Sequence, residues 1–458
     1  MNYIKNNINK IAIILLVILT SCEYDSTNTD PTRPGGENVP LVAIVPAMQT
    51  QTHRNIGAVL GRYSGILTQQ WKGVDAQQLS YTEYFITEDD TSNPWDTGLY
   101  TGSMRDAVDI IERATAQENF NTRGLAKMYL AINLGIATNV WGNVPYSEAF
   151  LAAENLSPKY DDQEELYTVI LDLLDEAIND LEANDPVGIQ GDLIDATPNQ
   201  WIATAHALKA RFYMQLSSRS STAAQDALDE ISQAFGSNEG QLDFIFENSQ
   251  NGGHPLALFG FQRPNTMVIG DFFADLMTGD PRQPLYMVQN DSGNFVYFDS
   301  EEPGLVWSQL GSSSPVISYA EVKFIEAEAT ERNGGNAQPI MEDAIRVNME
   351  YLGVSTLDID SYISTLSYNG IETIIVEKYK AMYGQSPLQV WNDYRRTGFP
   401  ALTPNPDGVN GNNSSGIIPR RLLYPITERQ SNPDSYQEAI QAQGGHLLDD
   451  EIWVFPTQ

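Results

Sequence analysis

A single cysteine, Cys22, stands in the whole chain, so no internal disulfide can staple the fold. Histidine is nearly as scarce: His53, His206, His254 and His446 show no metal-ligand spacing, and His206 falls inside a helical stretch as a partly buried residue. No G-x-S-x-G elbow and no Walker-type glycine loop occurs, which removes the usual sequence support for serine hydrolysis or nucleotide phosphate binding. Basic residues are few. Against 60 Asp plus Glu stand 26 Lys plus Arg, a net charge of −34. Such a field opposes nucleic acid and anionic membrane surfaces, and a neutral ligand or a cation fits it more easily. After the first turn of the chain's apolar start, no second run is long enough to cross a bilayer.

The N-terminus carries an address. Lys5 and Lys10 precede an uninterrupted apolar run from Ile11 to Leu19, too short to span a membrane but suited to the hydrophobic region of an export signal. It meets Leu19-Thr20-Ser21-Cys22, which has the form of a bacterial lipobox. Residues 1–21 therefore read as a lipoprotein signal peptide and Cys22 as the lipid-attachment site, which accounts for an otherwise spare thiol. Removing that signal takes two lysines and no acids, leaving −36. Residues 22–40 are polar and rich in Pro, Gly and Thr, the composition of a flexible tether. Residues 41–458 contain no long linker, and 41% hydrophobic residues suffice for one bilobed body.

Helical signals come in neighbouring pairs. Asp106 to Gln117 and Leu125 to Val140 form the first, parted by Asn119 to Gly124, with Gly135 placed to let another helix approach closely. Leu166, Val169, Ile170, Leu173, Leu174, Ala177, Ile178 and Leu181 recur at helical spacing, and a partner starts at the capping box Thr197-Pro198-Asn199-Gln200 and continues through Trp201 and Phe212. Ser318 and Glu321 box the start of Tyr319 to Arg332, followed by Ala337 to Leu352. In the last pair Ile371, Ile374, Ile375, Tyr379 and Met382 make one stripe, with Glu377, Lys378 and Lys380 expected in water. Gly384 then ends that helix, and Ser386-Pro387-Leu388-Gln389 caps a second that closes at Arg395, Arg396 and Gly398. The four pairs, about 103–140, 164–217, 318–352 and 371–396, predict a mainly α chain: a tetratricopeptide-like helix-pair scaffold, an α-α superhelix, with an irregular loop-rich lobe for ligand binding. In that lobe Leu285–Gln289 and Asn294–Phe298 flank a turn and read as a hairpin, Asp271 to Met277 as a short helix, and residues 400–416 as loop.

Several motifs resemble the SusD/RagB family. They are V-W-G-N-V-P-Y from Val140, the L-K-A-R helix within Trp201 to Ser217, A-E-V-K-F-I-E-A-E-A from Ala320, W-N-D-Y-R-R-T-G-F-P from Trp391, I-P-R-R-L-L-Y-P from Ile418, and Asn432-Pro433. The resemblance implies a surface lipoprotein of the outer membrane that captures a nutrient and passes it to a SusC-like TonB-dependent transporter. It also implies a ligand surface built from the chain before the helix pairs together with the insertion between them. Glu23 and Asp25, close behind Cys22, resemble the surface-export signals of such lipoproteins.

Trp71, Trp95 and Trp307 sit in those regions, in segments where no helical stripe explains them, whereas Trp201 and Trp391 lie on stripes and belong to the core. A ring on a loop stacks on the apolar face of a sugar while amides bond its hydroxyls. Gln69, Gln70 and Asn93 are such amides, and Tyr81 and Tyr84 would extend the platform. An oligosaccharide is the favoured ligand, with peptide capture or a protein-binding scaffold as alternatives. A surface glycoside hydrolase would need two carboxylates across a cleft; Glu326 and Glu328, or Asp89 and Asp90, read more simply as a solvated face or a helix cap. No cofactor is expected. Asp407, Asn410 and Asn412 lie in a glycine-rich loop with some calcium character but no EF-hand pattern.

Overall fold

The structure is a computed structural model describing residues 39–183, 185–299 and 305–457. The signal segment, Cys22 and all but the last two tether residues lie outside the described residues. Two helices that the sequence pattern did not reveal come first. α1 (Leu41–Gly57) and α2 (Val59–Leu67) meet at Ala58, whose ψ of −121° breaks the helix. The buried side of α1 carries Ile44, Val45 and Met48 but also Gln49, Thr52, His53 and Asn55. Those polar groups are satisfied across the core: Asn133 Nδ2 donates to Thr52 Oγ1 at 2.7 Å, and Asn55 Nδ2 to the carbonyl of Gly98 at 2.9 Å.

The expected pairs follow. α3 (Met104–Ala116) and α4 (Phe120–Trp141) are separated by only a few residues, so the break expected at Asn119 to Gly124 is corrected. The Asn119 side chain accepts from Thr122 N at 3.0 Å and starts α4 at once. α5 (Gln163–Leu181) and α6 (Pro198–Gln215) form as their spacing predicts, and both halves of the Thr197/Gln200 capping box are made. α6 meets α4 where Gly135 has no side chain: a β-carbon there would come within 2.5 Å of the Phe212 ring.

α7 (Tyr319–Arg332) is capped by Ser318, which accepts from Glu321 N, but the reciprocal bond of the expected box is absent. Glu321 instead takes Nε and Nη2 of Arg211 on α6, at 2.7 and 2.8 Å. α8 is Gln338–Tyr351, and the last pair is α9 (Ile371–Ala381) and α10 (Pro387–Thr397). Neighbour packs on neighbour along the chain: α4 on α5, α6 on α7, α7 on α9, and α10 back on α2. The result is a mainly helical scaffold of paired helices, as the sequence pattern predicts.

Charge placement in the last pair is corrected. Glu377, Lys378 and Lys380 are buried, because each has a fixed partner. Glu377 accepts from Arg282, Lys380 and the Tyr362 hydroxyl, and Lys378 Nζ lies 2.8 Å from Asp393. Glu328 is buried as well, against Arg396, and is no solvated face. Ser386 forms no side-chain cap: the Gln389 backbone N–H goes to the Ser386 carbonyl, and the Gln389 side chain accepts from Gln215 and Asn392.

The irregular lobe holds three antiparallel two-stranded ribbons among the described residues. β1 (Trp71–Gly73) pairs with β3 (Met267–Ile269), β2 (Asp243–Ile245) with β6 (Ser313–Pro315), and β4 (Val288–Gln289) with β5 (Phe295–Val296). The last ribbon is the expected hairpin, shortened because Gln283–Tyr286 makes a helical turn. The C-terminal segment then returns to α4 and α5: Leu422 N donates to the Val140 carbonyl at 2.9 Å, Trp141 Nε1 to that of Leu423 at 2.8 Å, and Val454 N to Gln163 Oε1 at 2.9 Å.

Candidate functional site

Four separate pieces of chain converge on one pocket of about 270 Å³. The stretch from the end of α2 into β1 supplies Ile66, Gln69, Trp71 and Lys72, the next supplies Thr82 and Tyr84, Gly270 to Phe272 follow β3, and Thr403 to Pro406 come from the C-terminal loop. Trp71 is positioned from behind. Its ring packs over Gly65, lies 5.9 Å from the Tyr383 ring, and its Nε1 donates to the Tyr383 hydroxyl at 3.3 Å. Tyr84 accepts from Asn405 N at 2.9 Å, and burial raises its phenol pKa, so it remains a neutral hydroxyl. Gln69 Nε2 donates to the Thr403 carbonyl at 2.6 Å, tying the loop to α2. At the rim Lys72 Nζ and Asp271 Oδ2 pair at 2.7 Å, both substantially exposed. Apolar ring surface at the back and amides, a hydroxyl and an ion pair around it give a wall of mixed polarity, with surface suited to apolar faces and to hydroxyls alike.

Only part of the expected platform is assembled. Trp71, Tyr84 and Gln69 share this pocket, but Trp71 is 2% exposed and forms a wall with no projecting ring. Gln70 and Tyr81 are buried behind it, and neither can extend a surface: Gln70 Nε2 donates to the Tyr379 carbonyl at 2.8 Å, and the Tyr81 hydroxyl to Asp90 at 3.0 Å. Asn93 lines a different pocket, beside the α1 to α2 break.

Trp95 and Trp307 are corrected from loop-presented rings to packed ones, at 1% and 4% exposure. Trp95 lies in a π-helical segment, Pro94–Ser103, inside an aromatic cluster with Tyr100, Trp141, Tyr160 and Tyr424. Beside that cluster burial raises the carboxyl pKa values of Glu428 and Asp96. Trp307 stacks on Tyr351 at 6.3 Å and fills the space over Gly384. The physical reason is common to all three. An irregular segment with no apolar stripe of its own is anchored by its largest side chain.

Phe272, half-buried, and the turn Thr403 to Pro406 were missed as site residues. The short helix and the proline-rich loop were each legible, but nothing local joins segments so far apart in the chain. In the loop, Asn410 and Asn412 direct their side-chain amides to the carbonyls of Tyr84 and Ile86, so they brace this region. Among the described residues no cluster of His, Cys, Asp and Glu is arranged to hold a metal ion.

Paired helices carrying an irregular lobe with a mixed pocket define a helical scaffold protein with a candidate site set on it. The family described as SusD-like, "Starch-binding associating with outer membrane", matches residues 37–425, and the chain belongs to this family. No curated protein matches by sequence. Among solved structures, a SusD-like protein of Bacteroidetes superposes with a TM-score of 0.79 at 20% identity, covering 92% of this chain and 100% of that one. A SusD/RagB family protein from Bacteroides thetaiotaomicron gives 0.73 at 23% identity over 92% and 100%. A chitin-binding SusD homologue from Flavobacterium johnsoniae gives 0.73 at 18% identity over 90% and 99%. At these identities the likeness establishes the shared fold.

Proposed function

We propose that the chain is a surface lipoprotein that captures an oligosaccharide in the Trp71/Tyr84/Phe272 pocket without altering it. The sugar then passes to a SusC-like TonB-dependent transporter of the outer membrane. The observation that carries this reading is the pocket itself, about 270 Å³ with ring surfaces and amides on its wall, in a chain of a family described as starch-binding. The chitin-binding homologue of the same fold supports a carbohydrate ligand. Phe272 is the wall ring with free surface, and stacking on a sugar face is assigned to it, with Trp71 and Tyr84 fixing the floor. Anchoring through Cys22 would hold the pocket at the membrane surface.

A glycan array that includes chitin and starch oligosaccharides, probed with the full chain in detergent, tests the reading. Binding that is lost in Phe272→Ala supports it, and a blank array with folded protein overturns it. Release of sugar products above a heat-killed control would replace capture by hydrolysis. Cys22→Ala should move the protein out of the membrane fraction; its retention there after a high-salt wash would remove the lipid anchor.

A further inference from the structure

A second pocket, of about 240 Å³, opens where α1 gives way to α2, and its wall includes Gln51, Arg54, Leu60, Asn93 and Thr97. Its charge is out of keeping with the rest of the chain. Every lysine among the described residues has a carboxylate partner. The arginines find carboxylates, carbonyls or rings: even half-buried Arg62 lies over the Phe259 ring, and exposed Arg263 donates to the Gln262 carbonyl. Among the described lysines and arginines Arg54 alone makes no side-chain hydrogen bond, ion pair or ring contact, although the sequence holds 60 acidic residues to supply one. It is half-buried in the pocket wall. Across from it the Asn93 side chain is exposed and also without a partner. The nearby carboxyl of Asp96 is engaged elsewhere, accepting from the Thr427 hydroxyl at 3.4 Å. The first backbone bond of α2 runs from Arg62 N to the Ala58 carbonyl, and no side chain caps the helix, so the N–H groups ahead of Arg62 add to the positive end of the pocket.

An arginine left with no partner of any kind in so acidic a chain is open to an anion from outside, and its planar fork suits a carboxylate. We propose that this pocket is a second ligand site, taking the carboxylate of an acidic sugar, a uronic acid, on Arg54, with Asn93 bonding the neighbouring hydroxyls. The proposal rests on the capture reading and extends it to charged glycans. α2 joins the two pockets: Leu60 borders one and Ile66 the other, six residues or about 9 Å apart along the helix axis.

Calorimetric titration of the full chain in detergent at low salt, with trigalacturonic acid and its methyl ester as probes, tests this. The acid should bind about tenfold tighter than the ester, because the ester removes the charge-assisted bond. Arg54→Gln should abolish that preference, Arg54→Lys should keep part of it, and Phe272→Ala should leave it intact. Equal binding of acid and ester by the unmutated protein overturns the proposal without any variant, as does no binding of the acid or an Arg54→Gln protein that keeps the preference. Chitohexaose and maltohexaose, titrated alongside, report on the first pocket. Their binding without an acid preference removes the Arg54 site alone, and no binding of any probe removes both readings.

Discussion

The six-membered ring of Trp71 occupies the space a side chain at Gly65 would fill: a β-carbon there would come within 2.3 Å of Cε3. The floor of the candidate pocket is thus set by a missing side chain on α2. Gly65→Ala should push the indole off its seat, costing about 1–3 kcal/mol of stability and weakening oligosaccharide binding together. Urea unfolding and a binding titration on the same preparation check this; an unchanged midpoint with unchanged affinity would detach Trp71 from the pocket.

Trp95 and Trp307 should behave as packing residues. Either one replaced by alanine leaves a cavity and costs about 3–5 kcal/mol, while the fraction that remains folded binds sugar as the parent does. A variant of full stability and lost affinity would return that ring to the ligand surface.

The pair between Arg396 and Glu328 ties α10 to α7, with Nη2 and Oε2 at 2.7 Å. Burial alone would raise the Glu328 pKa, but the guanidinium of Arg396 outweighs it and holds the carboxyl well below the usual range. Because the folded value is depressed, the contribution is present above pH 4.5 and is lost as pH falls toward 2. Glu328→Gln should cost about 3 kcal/mol at neutral pH by leaving Arg396 with less compensation in the core. Denaturant titration at pH 7 is the measurement, and a loss under 1 kcal/mol would mean that Asp393 suffices for Arg396.

His53 and His254 are buried, and burial lowers both pKa values from 6.5 to about 3. Both stay neutral in the folded protein, whereas the unfolded chain takes up their protons below pH 6.5. Stability is therefore present above that pH and falls with it, by about 2.7 kcal/mol per pH unit for the two together, until the folded values are reached. Thermal unfolding between pH 7 and 4 should show a steep acid decline, and His53→Asn should reduce its slope. A flat profile would mean that water reaches these rings.

What could be read from the sequence was local. The Thr197 box and the Leu166 to Leu181 stripe need only their own neighbours, and both appear as expected. α1 was illegible because Gln49, Thr52, His53 and Asn55 are buried in it, which spoils the apolar spacing, and because Pro46 lies within it. Lys378 and Glu377 read as solvent-facing because Asp393 and Arg282, which let them be buried, are remote in the pattern. Within the site, Trp71 and Tyr84 could be singled out by type, but the partners that bury them, Tyr383 and Asn405, come from the other end of the chain.

The seam on Val140, Trp141 and Gln163 links two early helices to residues some 280 to 290 positions further along the chain. Such sequence-distant closure is slow to form. A chain cut short after α10 would leave the Trp141 indole N–H without its acceptor and the end of α4 uncovered, a ready foothold for proteases. Resistance to digestion is thereby tied to the docking of this seam, so that proteolysis reports whether the late segment has closed on the early helices.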